Sequence, residues 1–338
     1  MSSAEPIVAN THGLRKSYRK VMSLKSLDLT IPKHSILRFL GPKGAGMTAN
    51  IKLLLGLVRP TGGRATVFDD NITLESISFD HGEQDTAGQI SRACVKASRL
   101  IQESWGLEEP GNCHIYVMTS FLGFVFQSAP WQWQILLGAT MPLWYFRARR
   151  TWPYIAAWTT RYGRKVAIGV KPPHLWEQSD KSISIHMFVE ERDVEKNLQH
   201  IICHELVHAC SAHLRLPVWL NEGIATVMVD HFLEKQMIHE NTLELVRGFL
   251  PKGTPPTYRE LSRMRGETFA YHTARGYWLV RYLEEKYPSF LRRMFSLRRD
   301  STVIDREMAS ELGMEPENFW SEIDELLVCH FKRNQVGV

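Results

Sequence analysis

Apolar and polar positions change period several times along the chain, and each change marks an element. Ile36, Leu37, Phe39 and Leu40 read as a short buried strand, a Gly-rich stretch from Gly41 to Thr48 follows, and Ile51 to Val58 continues with helical character. Residues 73–90 are polar and predict a linker. Ile90, Val95, Leu100, Ile101 and Trp105 then recur at the spacing of one helix face, while His114 to Met118, Lys165 to Val170 and Ile183 to Val189 read as strands. Glu190, Glu191, Asp193 and Glu195 put negative charge where a helix macrodipole favours it, and predict a helix through Ile201 to about His213. A short loop at Leu214 to Leu216 and a proline, Pro217, introduce a second helix that folds back on the first. Pro288 to Arg299, Thr302 to Leu312 and Pro316 to Lys332 predict closing helices.

One stretch departs from this alternation. From Ile115 to Phe146 there is no charged residue, and Arg147, Arg149 and Arg150 follow directly. Gln127, Pro130, Gln132, Gln134 and Pro142 interrupt the run, so a spanning helix of about twenty apolar residues is not expected. Trp131, Trp133, Trp144, Trp152 and Trp158 crowd the neighbourhood. Core burial is the ordinary use of such rings, and peripheral contact with a membrane or a partner through residues 115–158 is the alternative.

A chain of 338 residues accommodates one or two domains, and 44% hydrophobic with 23% charged residues excludes disordered, collagen-like and multi-pass membrane classes. Forty-one Lys and Arg against 36 Asp and Glu leave +5, too small an excess to indicate a nucleic-acid partner. Five cysteines without a C-x-x-C spacing indicate a reducing compartment. The first residues lack a basic start and an apolar run, so a cytoplasmic location is expected, with membrane association left open.

Gly41-Pro42-Lys43-Gly44-Ala45-Gly46-Met47-Thr48 has the order of a phosphate-binding loop, in which backbone N–H groups wrap the phosphates, a lysine reaches them and the next hydroxyl holds magnesium. Residues 14–72 resemble the start of an ABC-transporter ATPase, with Tyr18 where that family stacks adenine and Leu53 to Thr61 continuing the match. The resemblance implies nucleotide binding at Gly41, Gly44, Gly46 and Thr48. Met47 stands in the lysine position, however, and no signature Leu-Ser-Gly-Gly, Walker B pair or switch histidine follows. Phosphoryl transfer depends on positioned charge and metal, so weak binding is conceivable and hydrolysis is not expected.

His204-Glu205-Leu206-Val207-His208 supplies the second candidate. Residues four apart on a helix differ by about 40° in rotation and about 6 Å in height, so both imidazoles can meet one ion, with Glu205 beside it as a general base. Thirteen residues further on, Glu222 in Trp219-Leu220-Asn221-Glu222-Gly223 can add a carboxylate from the second helix. Two histidines and one carboxylate leave a position open, as at catalytic rather than structural zinc sites. His200 and His213 are read as packed or exposed histidines, Cys203 and Cys210 as core thiols, and Asn221 as a hydrogen-bonding neighbour.

At these residues the chain resembles the gluzincin metallopeptidases, of the small peptidase-MA-like kind, over residues 90–334. The match continues in Phe269-Ala270-Tyr271 and Gly276 to Tyr287, read as the helix after the site. The resemblance implies one zinc ion on His204, His208 and Glu222, Glu205 as general base, Tyr271 or His272 as the oxyanion donor, and a peptide or protein substrate. It implies a zinc-dependent peptidase (a hydrolase), with a nucleotide-binding ABC-transporter-associated protein or a zinc-binding pseudoenzyme as alternatives. ATP and magnesium are not expected as cofactors. The expected fold is α+β: a partial ABC-like P-loop α/β segment at 1–75, a linker at 76–89, and a zincin-like domain at 90–334 with a small sheet, a motif helix and a mostly helical C-terminal part.

Overall fold

A computed structural model describes residues 7–18, 21–32, 53–54, 61–67, 70–71, 76–176, 187–189, 191–250, 252–261, 263–264, 266–297 and 301–333. The chain has mixed helix and sheet structure and divides into two units, Met1–Ser76 and Ile77–Val338.

The first unit is organised on one long strand, β1 (Ile7–Tyr18). It pairs antiparallel with β2 (Val21–Leu24), β3 (Leu29–Pro32) and β4 (Gly62–Val67), and β4 pairs antiparallel with β5 (Asp70–Asn71). Gly63 has a φ of +76°, and a Cβ there would collide with the backbone of Gly13, so the approach of β4 to β1 requires glycine. Leu14, Leu24, Leu53 and Ala65 form its buried apolar cluster. The strand expected at Ile36 to Leu40 and the whole loop from Gly41 to Thr48 lie outside the described residues; Leu53 and Leu54 are helical.

The second unit begins earlier than its sequence pattern suggests. Residues 76–89, expected as a linker, form β6 (Ser76–Phe79) and the opening of α1 (Gln84–Trp105). The polar face of that first helical turn hides a buried one: Ala87 and Ile90 start a stripe that continues through Cys94, Ala97, Ile101 and Trp105. Gly106, at φ 69°, ends the helix with its N–H bonded to the Gln102 carbonyl.

The sheet of this unit runs β6-β7-β9-β8, with β7 (Cys113–Val117) parallel to β9 (Lys165–Val170) and β8 (Ala157–Tyr162) antiparallel to it at the edge. Val166 to Val170 are buried throughout, as suits an inner strand covered on both faces. Between β7 and β8 lie α2 (Phe121–Ser128), α3 (Trp131–Ala139) and α4 (Met141–Thr151). The helical part follows as α5 (Val194–Ser211), α6 (Val218–Leu233), α7 (Thr242–Gly248), α8 (Tyr258–Leu261), α9 (Gly266–Lys286), α10 (Phe290–Ser296), α11 (Ser301–Glu311) and α12 (Phe319–Arg333). The strand expected at Ile183 to Val189 is described only at its end, where Phe188 forms an isolated bridge with Ile238. Among the described residues no helix is long and apolar enough to cross a membrane.

Candidate metal centre

Helix α5 starts at Asp193, whose carboxylate accepts from the backbone N–H groups of Glu195 and Lys196. One face of the helix, with Leu198, Ile202, Leu206 and Cys210, is buried in the core. The adjoining face carries His204 and His208, whose Nε2 atoms lie 3.1 Å apart with the rings nearly perpendicular at 88°. After the turn through Leu214 to Leu216, α6 leads out from Pro217 and returns Glu222 to the same point. Its Oε2 is 3.5 Å from His204 Nε2, and its Oε1 is 3.7 Å from His208 Nε2.

These separations test whether a metal fits. Four donors arranged tetrahedrally about zinc, each at about 2.0–2.1 Å, stand about 3.3 Å from one another. The two Nε2 atoms stand 3.1 Å apart, each has a different Glu222 oxygen at 3.5 or 3.7 Å, and one donor atom from each residue lies within 4.8 Å of the others, so small side-chain rotations let the residues present fit the group. Among the described residues these three form the one group of three or more His, Cys, Asp or Glu with donor atoms gathered this closely, within 4.8 Å.

The approach of Glu222 is set by glycine on both sides. A Cβ on Gly223 would lie 2.5 Å from the Gly276 carbonyl oxygen of α9, and a Cβ on Gly276 would overlap the Trp219 carbonyl. Only with both positions bare can α6 and α9 cross this closely. On the other side of the cleft, Thr159 of β8 places its Oγ1 2.7 Å from Glu205 Oε2 and 3.1 Å from the Glu205 carbonyl oxygen. The side chains converge on an open cavity of about 440 Å³, lined also by Trp158, Arg161, Arg215 and Tyr258.

Burial raises the Glu205 carboxyl above its ordinary value, against the opposing influence of His208 and Thr159. Burial also pushes Glu222 upward, but His208, His204 and the Tyr258 hydroxyl outweigh it and hold that carboxyl at about 2. The two carboxylates, one residue from a histidine and one across from it, therefore sit in opposed environments.

Tyr271 and His272, expected beside the ion, are elsewhere. Tyr271 is fully buried and donates to Asp324 Oδ2 at 2.8 Å, and Asp324 in turn accepts from Arg275 Nε at 2.6 Å. The His272 ring packs against Phe249 and Tyr271. Gly276 is the residue α9 turns toward α6, and Tyr271, five positions earlier, is about 140° round the helix from it.

The hydroxyl that does reach the centre belongs to Tyr258, which donates to Glu222 Oε1 at 3.2 Å and accepts from Asn221 Nδ2. Sequence reasoning passed over it, although Thr257-Tyr258-Arg259-Glu260 carries a capping-box signal. Thr257 N–H donates to Glu260 Oε2 and Glu260 N–H to Thr257 Oγ1, which fixes the start of α8 and thus Tyr258. Thr159 was also missed, because nothing local in β8 shows which helix the strand will meet.

The neighbours behave as their types suggest. Cys203 is buried with its thiol toward the Met228 carbonyl, Cys210 is buried, and His213 Nδ1 pairs with the Cys210 carbonyl. The His200 ring packs against Phe188, and burial together with His204 lowers it to about 4. Ser211 Oγ donates to Asn221 Oδ1, tying α5 to α6 beside the ligand. Gly41, Gly44, Gly46 and Thr48, with Lys43 and Met47, lie outside the described residues.

Comparison with known proteins bears on the other end of the chain. The daunorubicin/doxorubicin resistance ATP-binding protein DrrA of Streptomyces peucetius is 42% identical over 103 residues, covering 28% of this chain and 31% of its own length. An uncharacterized ABC transporter ATP-binding protein of a Nostoc species is 47% identical over 66 residues, 18% of this chain and 20% of that protein. The bacitracin transport ATP-binding protein BcrA of Bacillus licheniformis is 38% identical over 64 residues, 19% and 21% of the two chains. The N-terminal region is related to ABC transporter ATP-binding proteins.

This chain spans less than a third of the length of each of these relatives. No protein-family model matches it. The relatives overturn the enzyme class drawn from the His204 to His208 motif, because they are ATP-binding proteins and not metallopeptidases. The peptidase assignment is corrected accordingly: convergence of three ligands is a statement about metal affinity and does not by itself specify turnover.

Proposed function

We propose that the chain is an ABC-transporter-associated protein that binds nucleotide through residues 41–48 without hydrolysing it. The observation that carries this reading is the 42% and 47% identity of its N-terminal region to ATP-binding proteins. Glycines at 41, 44 and 46 are the residue type with which a phosphate loop turns its backbone N–H groups toward phosphate, and Thr48 is of the type that would meet magnesium there. Met47 cannot supply the charge that phosphoryl transfer requires, so binding is uncoupled from hydrolysis. Titration of the full chain with fluorescent ATP and magnesium tests the reading. Saturable binding in the micromolar range without phosphate release is expected, and no binding at about 1 mM nucleotide removes it.

A second reading rests on the second unit, where the donor separations of 3.1, 3.5 and 3.7 Å favour a bound zinc ion. His204 and His208 of α5 and Glu222 of α6 would hold it, on a zincin-like scaffold in which metal serves as a tie between helices. When bound, zinc supplies a compact positive charge opposite Glu222 and leaves one coordination position open. Asn221 and Tyr258 orient the Glu222 carboxylate, and Thr159 holds Glu205. Metal analysis of protein grown with zinc is expected to give about one equivalent, lost in His204→Ala and Glu222→Ala. Metal-free protein, or metal retained by both variants, removes this reading.

A further inference from the structure

Only part of the uncharged stretch between β7 and β8 becomes core, although core was its expected use. Its three helices are fastened to the sheet on one side only. Phe124 and Val125 of α2 are buried with Tyr116, Tyr162 and Ala167, and Phe121, Leu137, Trp144 and Trp158 pack on that cluster. Gln134 Nε2 donates to the Phe126 and Ala129 carbonyls and fixes the corner between α2 and α3, while Trp144 Nε1 donates to the Leu137 carbonyl and fixes α4 against α3.

The opposite side is bare. Trp131 is 66% exposed and Ile135 65% on α3, and Leu143 is 85% and Phe146 70% on α4. Helix α3 has no buried residue at all. A helix of nine residues gains little from propensity alone, and most of its stability in water must come from covering an apolar face. Here nothing among the described residues covers it, and an apolar surface of this kind marks an interaction site.

We infer that the exposed faces of α3 and α4 dock this protein onto an anionic lipid bilayer, lying in its interface without crossing it. Charge selects this occupant. From Pro110 to Trp176 the sequence has no Asp or Glu, so no carboxylate of this segment offsets the arginines at the end of α4. Arg149 and Arg150 are exposed at the C-terminal end of α4, next to Phe146. Large rings and aliphatic side chains flanked by arginine suit the boundary between acyl chains and acidic headgroups. No described helix is long and apolar enough to span, which leaves the docked arrangement.

Sedimentation of the full chain with vesicles tests the inference. Vesicles of phosphatidylcholine containing about one quarter phosphatidylserine should carry the protein down, and pure phosphatidylcholine should carry down much less. Trp131→Ser with Leu143→Ser should weaken binding at least about tenfold, since each removes a large apolar side chain from the contact. Arg149→Gln with Arg150→Gln should weaken binding to the acidic vesicles and reduce its salt dependence. Leu297→Ser, an exposed leucine after α10, should change nothing. All five substituted positions are exposed, so unchanged circular dichroism and melting are expected. Absence of binding to acidic vesicles, or equal binding by the Trp131/Leu143 double variant, overturns the inference. So does a dimer at micromolar concentration that this double variant dissociates, because that outcome gives the face to a second copy.

Discussion

Among the described residues, the apolar clusters within the two units of this chain differ in extent. In Met1–Ser76 the described apolar cluster is Leu14, Leu24, Leu53 and Ala65, gathered behind one long strand. In Ile77–Val338 a continuous core runs from α1 through α5, α6 and α9 to α12, and Tyr271, Arg275 and Asp324 are buried in it as a hydrogen-bonded group. A large core can hold three side chains on different helices to within tenths of an ångström, and a small one cannot do so unaided. The first unit therefore carries its history in a loop motif, and the second carries its chemistry in geometry.

The sharpest way to test that contrast is to open the core of the second unit. Asp324→Ala leaves Arg275 buried without its 2.6 Å partner and Tyr271 without an acceptor, and is expected to cost about 3–5 kcal/mol by chemical denaturation. Gly276→Ala comes next. Its methyl group meets backbone on α6, which cannot rotate away, so about 1–3 kcal/mol is expected, together with loss of the zinc proposed for this centre as Glu222 is pushed off the histidines. Unchanged metal content in a destabilised Gly276→Ala protein would show that α9 does not position the ligand.

In the first unit, Leu14→Ala removes a side chain only 1% exposed, and about 2 kcal/mol is expected, the low end for such deletions because a small cluster collapses easily. Faster proteolysis within residues 7–67 would report it. The smallest effect belongs to His231, whose Nε2 is 3.2 Å from Glu284 Oε2. The hydrogen bond to Glu284 raises its pKa despite burial. A raised histidine contributes stability in full below about pH 6.5, and that contribution is lost as pH rises through the folded value. The melting temperature of His231→Gln should thus fall below that of the parent at about pH 6 and match it at about pH 9, with under about 1 kcal/mol at stake because the pair is partly exposed.

Local pattern located α5 and α6, strand β9 to the residue, and the closing helices, since each rests on periodicity within a single segment. It also named His204, His208 and Glu222, because helical spacing and a short connecting loop leave few ways for them to point. It missed Tyr258 and misplaced Tyr271, since both depend on which side of a helix meets which neighbour. The stretch before Ile90 read as linker because the buried face of a helix start is diluted by its polar face. The uncharged run from Ile115 to Phe146 read mainly as core, which holds for Phe124 and Val125 and fails for α3, because such a run gives no sign of whether anything will cover it.

The amino-acid order alone determined which side chains can share a helix face, and hence the pair of histidines and the carboxylate that answers them. It also settled that Met47 replaces the lysine of a phosphate loop. Packing decided the rest: the glycine crossing that brings Glu222 to 3.5 Å from His204, the capture of Tyr271 by Asp324, and the exposure of α3 and α4. Those outcomes depend on contacts between residues far apart in the chain, and such contacts leave no periodic trace in the segments that make them.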